Sequence, residues 1–461
     1  MKPGFLFLFT FFFSFSTIAQ SSPEFSRSEV LEDLEYLYHS LQDAHFDSTG
    51  KLDEMGFRER YRTLRASIRK DSFTLLEATN LLQPLVSYLD VGHTNIDFPI
   101  AAYVRYAEGG GTVFPLEIAF EDGRALVRKN FSNDPSIRVG DEVRTTNGES
   151  IEGILQKIYP HISAERTYLK NAKIELYSFP RYYWQAYGEQ PRFTITTVRK
   201  GTELTHNVPA ISLVEGYEGR RSEVFNARMH LEFREKLAIL NPGNFSGDEM
   251  AYRRFIDSAF QDIRSRETDV LVVDLRNNLG GDNSFSDYLV SYFADRAFRW
   301  NSSFTLKTSA FLKQHIREHR DTTETFWREA LDREDGAVYS YSFAEYPPQP
   351  EEKRFRGQVF VLVNRQSHSQ AAVTAAQIQD YNFGTIVGEE TGDYPSLTAS
   401  IFQYALPNTN ITVNVAKGYM VRVNGSKKEE GVIPDILIRD HLLDEEDEIL
   451  RGLMEYLGRE F

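Results

Sequence analysis

The chain has 461 residues, with 52 Lys and Arg against 67 Asp and Glu, and a formal net charge of −15 at pH 7. That acidity, with no basic block, argues against nucleic acid or an anionic membrane surface as a partner. The length exceeds what one core ordinarily serves, so two or three domains are expected. Cysteine is absent, which excludes disulfides, thiolate catalysis and cysteine-bound metals.

Met1 to Gln20 reads as a secretory signal peptide. Lys2 supplies the positive start, Phe5 to Phe15 are mostly apolar, and Thr17 and Ala19 are small residues at the cleavage positions. The run is too short to span a bilayer, and no later apolar run is long enough either. The mature protein is expected to be exported, periplasmic or secreted, with no membrane span.

Residues 21–108 read as a helical N-terminal domain. Ser26 and Glu29 match a capping box, and Val30, Leu31, Leu34, Leu37, Tyr38 and Leu41 follow at helical spacing. Residues 53–70 and 73–89 predict two more helices. Gly92-His93-Thr94 then leads into a strand-like stretch. Gly109-Gly110-Gly111 suggests a hinge. Residues 109–210 read as a small, mostly β domain, with an Asn147-Gly148 turn and a hairpin around Arg199-Lys200-Gly201.

Residues 211–461 read as an α/β core with an insertion at about 296–352. A helix is expected over Glu249 to Ser265. The apolar runs Val270 to Val273 and Phe360 to Val363 suit strands buried on both faces. Between Phe360 and Val387 the pattern is strand, small-residue helix, strand, a parallel crossover unit. Ile401 to Tyr404, Asn410 to Val415 and Tyr419 to Val423 predict three further strands, and a charged helix closes the chain.

Two strand ends carry residues suited to acyl transfer. Ser369 sits at the carboxyl end of one strand and the start of a helix, where backbone N–H groups and the dipole favour a developing oxyanion. As a residue of that position alone, it also suits a simple helix cap. Asp274-Leu275-Arg276-Asn277-Asn278-Leu279-Gly280-Gly281 ends the other strand, and its glycines allow close backbone approach. A base is still needed. Of ten histidines, His93 stands out on a loop after Gly92, whereas His368, beside Ser369, reads as structural. His315-Ile316-Arg317-Glu318-His319 fits a zinc-peptidase pattern, with Glu389 or Glu390 as a third ligand, but its neighbours suggest a solvated helix face.

Taken together, Asp-Leu-Arg-Asn-Asn-Leu-Gly-Gly, Ser367-His368-Ser369, Gln379-Asp380-Tyr381, Ile386-Val387-Gly388-Glu389, Gly431-Val432-Ile433-Pro434-Asp435 and Leu89-Asp90-Val91-Gly92-His93-Thr94 resemble the C-terminal processing (tail-specific) serine peptidases. The resemblance implies a crotonase/ClpP-like α/β core, with a helical N-terminal domain and a PDZ-like β domain over 109–210. It implies Ser369 as nucleophile and an oxyanion hole from Gly280 or Gly281 with Gln370. The commoner branch of the family has a lysine base where this chain has Tyr394. The tricorn-like branch uses Ser and His with a glutamate, which implies His93 as base, oriented by Glu429 or Glu430, with Glu389 a further candidate. The expected function is an exported serine endopeptidase acting on polypeptides and recognising C-terminal segments, with no metal and no other cofactor. The alternative is a non-catalytic peptide-binding protein on the same fold.

Overall fold

The computed structural model describes residues 24–47, 50, 52–221, 228–234 and 236–458. The expected leader, Met1 to Gln20, lies outside them. Ser26 and Glu29 form the predicted capping box, and the helix Arg27–Ala44 buries Val30, Leu34, Leu37 and Leu41. Helices Glu54–Ser67 and Leu75–Val86 follow, the second behind another capping box, Thr74 with Glu77. A fourth helix, Ile100–Glu108, occupies a stretch that the sequence reading left without an assignment.

The β unit is built on a six-stranded sheet whose main path runs Leu116–Glu121, Arg124–Asn130, Glu142–Thr146, Arg192–Arg199 and Thr202–Pro209. Its three tight turns have positive φ at both central residues: Asp122 and Gly123, Asn147 and Gly148, and Lys200 and Gly201. That geometry matches the twist of the paired strands. The unit is less purely β than expected. Helices Ile151–Ile158, Thr167–Tyr177 and Phe179–Tyr187 lie between its strands, and Ile154, Ile174 and Phe179 share a core with Ile118, Val127 and Phe193.

The third unit carries a second six-stranded sheet, in the order Met229–Arg234, Leu237–Pro242, Val270–Asp274, Gln358–Val363, Thr385–Gly388 and Ile436–Leu437. Only the first pair is antiparallel. The apolar strands are sandwiched, as unbroken apolar runs require. Helices Glu249–Ser265, Asn283–Val290 and Gln370–Tyr381 bury Phe260, Leu289 and Ala375 against Leu271, Val273 and Val361. Helix Glu448–Tyr456 covers the other face through Ile449 and Leu453, against Val272, Phe360 and Leu362.

The expected insertion is more than a cover. Its Ser303–Lys307 and Val338–Tyr341 strands join Thr412–Val421 and Leu397–Ala405 in a four-stranded antiparallel sheet. Asn410 to Val415 and Tyr419 to Val423 were expected as two strands, but Thr412–Val421 is continuous. Lys417 and Gly418, which fall between the two expected strands, have specific places inside it. Lys417 Nζ donates to Ser400 O at 3.0 Å and Ser400 Oγ at 2.5 Å. A Cβ on Gly418 would stand 2.7 Å from the Phe304 ring. The N-terminal helices pack on this sheet, with Leu34, Leu37 and Leu82 in one cluster with Phe402, Val413 and Val415. Among the described residues no helix is long and apolar enough to cross a membrane.

Candidate active site

Val270–Asp274 and Gln358–Val363 pair in parallel, Asp274 opposite Leu362, so their carboxyl ends open side by side. The loops beyond them are sewn together by their asparagines. Asn364 Nδ2 donates to Asn277 Oδ1 at 3.0 Å, and the His368 N–H donates to Asn278 O at 2.9 Å. Arg276 pairs with Asp274 at 2.7 Å and with Asp447 at 2.5 Å, tying this strand end to the closing helix. The Asp-Leu-Arg-Asn-Asn run therefore builds the frame of the site.

Ser369 caps the helix Gln370–Tyr381 with φ 51° and ψ −122°. Left-handed backbone in a non-glycine residue is strained, and such strain collects at functional sites. Its side chain makes no cap hydrogen bond, so the N-cap alternative does not hold for the hydroxyl. Gly280, at φ 84°, lies so close that a Cβ there would stand 2.7 Å from both Gln370 N and Ser369 Cβ. A Cβ on Gly281 would stand 1.9 Å from Phe245 O. Side chains are excluded at both positions by neighbouring backbone.

The loop carrying His93 arrives from the N-terminal unit. The Asn95 N–H donates to Asn414 O at 3.0 Å, the Ala416 N–H to Thr94 Oγ1 at 3.1 Å, and the Gly92 N–H to Glu165 Oε1 at 2.9 Å. The antiparallel sheet and the β unit thus hold this loop over the strand ends. His93 Nε2 lies 2.9 Å from Ser369 Oγ. The two residues are 276 positions apart in the sequence.

Of the expected oxyanion donors, the Gly280 N–H is already engaged, donating to Asn278 Oδ1 at 2.8 Å. The Gly281 N–H and the Gln370 N–H, the latter in the first turn of its helix, have no acceptor among the described residues. Neither expected glutamate orients His93, whose Nδ1 is buried with no hydrogen-bond partner among the described residues. Glu429 is exposed, and Glu430 pairs with Lys428 at 3.5 Å. Glu389 is held by Arg365 at 3.1 Å.

Two carboxylates that sequence reasoning missed are held by backbone amides of the pair and its loop. Asp393 Oδ2 accepts the Ser369 N–H at 2.5 Å, and Glu165 accepts the Gly92 N–H. Burial works against ionisation of Asp393, yet His368, His93 and Lys173 hold its carboxyl well below the usual range. Burial, with the Asp393 charge, pushes Glu165 up to about 7. Desolvation lowers the His93 pKa and so favours the neutral imidazole that a base requires. Asp393 lies next to the compared position Tyr394, but no periodicity marks it, and Glu165 gave no signal at all.

The lysine position of the commoner branch is filled differently. Tyr394 stacks under the Arg166 guanidinium, 4.9 Å from its ring centre, and Arg166 pairs with Glu390 at 2.6 Å. His368 is buried, with Nδ1 3.8 Å from Asp393 Oδ2, so it faces the site rather than away from it. The zinc reading lacks its third ligand. Glu389 and Glu390 serve Arg365 and Arg166, while His315 Nδ1 meets Gln403 O at 3.3 Å. Beside the site opens a cleft of about 1280 Å³, whose walls include Phe46, Val91, Glu165, Tyr394 and Leu397.

Residues 236–438 match the family model "Peptidase family S41". The chain carries an S41 peptidase domain. The matched stretch includes Ser369, Gln370, Gly280 and Gly281; His93 lies outside it and joins through the fold. That domain supports a serine-type peptidase over the reading as a binding protein without catalysis. Among solved structures, mature CPAF aligns with TM-score 0.64 and 18% identity over 94% of this chain and 96% of that one. Mature CPAF complexed with lactacystin aligns with TM-score 0.61 at 18% identity, over 94% and 97%. At such identity the likeness is one of fold, and it extends to the N-terminal and β units. A photosystem II D1 C-terminal processing protease aligns with TM-score 0.46 at 16% identity, over 93% and 97%. No curated protein matches the chain.

Proposed function

We propose that this chain is an exported serine endopeptidase working through Ser369 and His93, on a crotonase/ClpP-like core with a PDZ-like β unit. The observation that carries the reading is the 2.9 Å contact between His93 Nε2 and Ser369 Oγ. With the ring proton on Nδ1, Nε2 accepts the hydroxyl proton as Oγ attacks the scissile carbonyl carbon. The carbonyl oxygen takes up negative charge between the N–H groups of Gln370 and Gly281. The imidazolium then returns its proton to the leaving amine, and water, deprotonated the same way, releases the acyl group.

The cleft has room for an extended polypeptide, and its walls mix apolar and charged side chains. The strand Thr202–Pro209 lies at the edge of its sheet, an arrangement that suits capture of a C-terminal segment by strand addition. Export is supported by the composition of Met1 to Gln20. Purified protein is expected to cleave an unfolded polypeptide such as reduced casein, and Ser369→Ala to abolish that cleavage at unchanged melting temperature. Equal turnover by the variant contradicts the assignment.

A further inference from the structure

At the pair of Ser369 and His93, no carboxylate among the described residues meets His93 Nδ1, and neither Glu429 nor Glu430 supplies the expected one. We propose that Asp393 is the positioning residue of this pair, fixing the peptide that carries Ser369 and supplying the negative charge that stabilises the His93 imidazolium. The proposal rests on the peptidase reading given above.

Three observations carry it. Asp393 is only 5% exposed, yet its Oδ2 accepts the Ser369 N–H at 2.5 Å. A buried carboxylate that gives its hydrogen bond to a backbone amide, with the His368 ring nitrogen 3.8 Å from the same oxygen, is an uncommon arrangement, because buried charge ordinarily requires several partners. The amide it holds belongs to the one strained residue that bears the reacting hydroxyl, at φ 51°. The bond therefore fixes where Oγ stands relative to His93. Its loop is pinned in turn: Thr391 Oγ1 donates to Asp393 O at 2.9 Å and accepts the Val432 N–H at 2.8 Å.

The second observation concerns charge. The groups facing His93 are Asp393 and His368 from the core, Lys173 from the helix Thr167–Tyr177, and Glu165 through the Gly92 peptide. Two of these can be anionic. Glu165 is pushed up to about 7 by burial beside Asp393, so at neutral pH it is only partly ionised, whereas Asp393 stays charged. Asp393 is therefore the fixed anion of the site. It takes no proton in the reaction: the proton moves from Ser369 Oγ to His93 Nε2 and on to the leaving amine.

The third observation is what the bond removes. With its N–H committed to Asp393, Ser369 cannot serve the oxyanion. The Gln370 N–H next in the chain remains available for it.

Asp393→Asn keeps the size and an accepting oxygen but deletes the charge. Its kcat is expected to fall at least about tenfold with KM nearly unchanged. The acid limb of kcat/KM against pH should move to lower pH, because a carboxylate near His93 raises the pH at which the ring protonates. A purely structural role would not move the limb. Asp393→Glu keeps the charge but displaces it, and is expected to lose rate with the limb in place. A wild-type limb in folded Asp393→Asn overturns the proposal. So does wild-type kcat in Asp393→Glu, which decides the matter if Asp393→Asn fails to fold. Residual cleavage by Ser369→Ala would instead overturn the peptidase reading itself, so the two failures are distinguishable.

Discussion

Arg365 Nε donates to Glu175 Oε2 at 2.8 Å in the buried seam between the sheet that presents Ser369 and the β unit. The guanidinium also reaches Glu121 at 2.7 Å and Glu389 at 3.1 Å. Arg365 stands four residues before Ser369, on the loop whose shape decides where the hydroxyl points. One cation thus clasps two units and the nucleophile loop together.

Arg365→Met should destabilise the protein by about 3–5 kcal/mol, since it strands buried carboxylates without a partner. It should also lower kcat through the displaced loop. Urea unfolding followed by fluorescence measures the first effect and peptide cleavage the second. An unchanged midpoint would mean that the seam contributes little.

Three carboxylates around one guanidinium cannot all ionise easily. Burial pushes Glu389 up to about 7 from an ordinary value of 4.5, although Arg365 works in the opposite direction. Between those values the folded chain holds a proton that the unfolded chain has lost. The stability from this proton is full below about 4.5 and is lost as pH rises through about 7. Glu389→Gln should therefore flatten the decline in stability between pH 5 and 8. Chemical denaturation at several pH values checks this, and parallel profiles for the two proteins would contradict it.

Gly280→Ala places a methyl group where Gln370 N and Ser369 Cβ already stand 2.7 Å away. Something must shift, and the donor of the oxyanion shifts with it. Activity should fall at least about a hundredfold, with a smaller effect on the melting temperature. Cleavage at the wild-type rate would show that the glycine approach is not needed for catalysis.

How much of this could be read from sequence depended on whether the signal was local. The apolar runs at Val270 and Phe360 and the helix Glu249–Ser265 follow from periodicity and burial alone. The aromatic helix Phe179–Tyr187 did not stand out, because its start depends on Ser178 at φ 105°. The meeting of His93 with Ser369 was suggested by motif resemblance, and only the fold brings them together. Asp393, Glu165 and Arg365 sit in loops with no periodic pattern, and their roles come from partners distant in sequence. The gap left around Lys417 between two expected strands closes in the fold, because Ser400 and the Trp327 ring, 5.1 Å from Nζ, surround that side chain inside one strand.

Burial lowers the Lys417 pKa from 10.5 to about 7. Between those values the unfolded chain carries a proton that the folded chain has lost, so stability rises with pH across that range. Lys417→Met should lack this rise. Comparing unfolding free energies at pH 7 and pH 10 for both proteins tests it, and the same rise in the variant would contradict it.

The central claim is that His93 activates Ser369. Its most direct test is the rate and site of phosphonylation by a serine-reactive fluorophosphonate, located by peptide mass spectrometry. The account predicts a single adduct on Ser369 in the wild-type protein and labelling slowed by about 10²-fold or more in folded His93→Ala. An adduct elsewhere, or labelling of Ser369 at equal speed in both proteins, would contradict it.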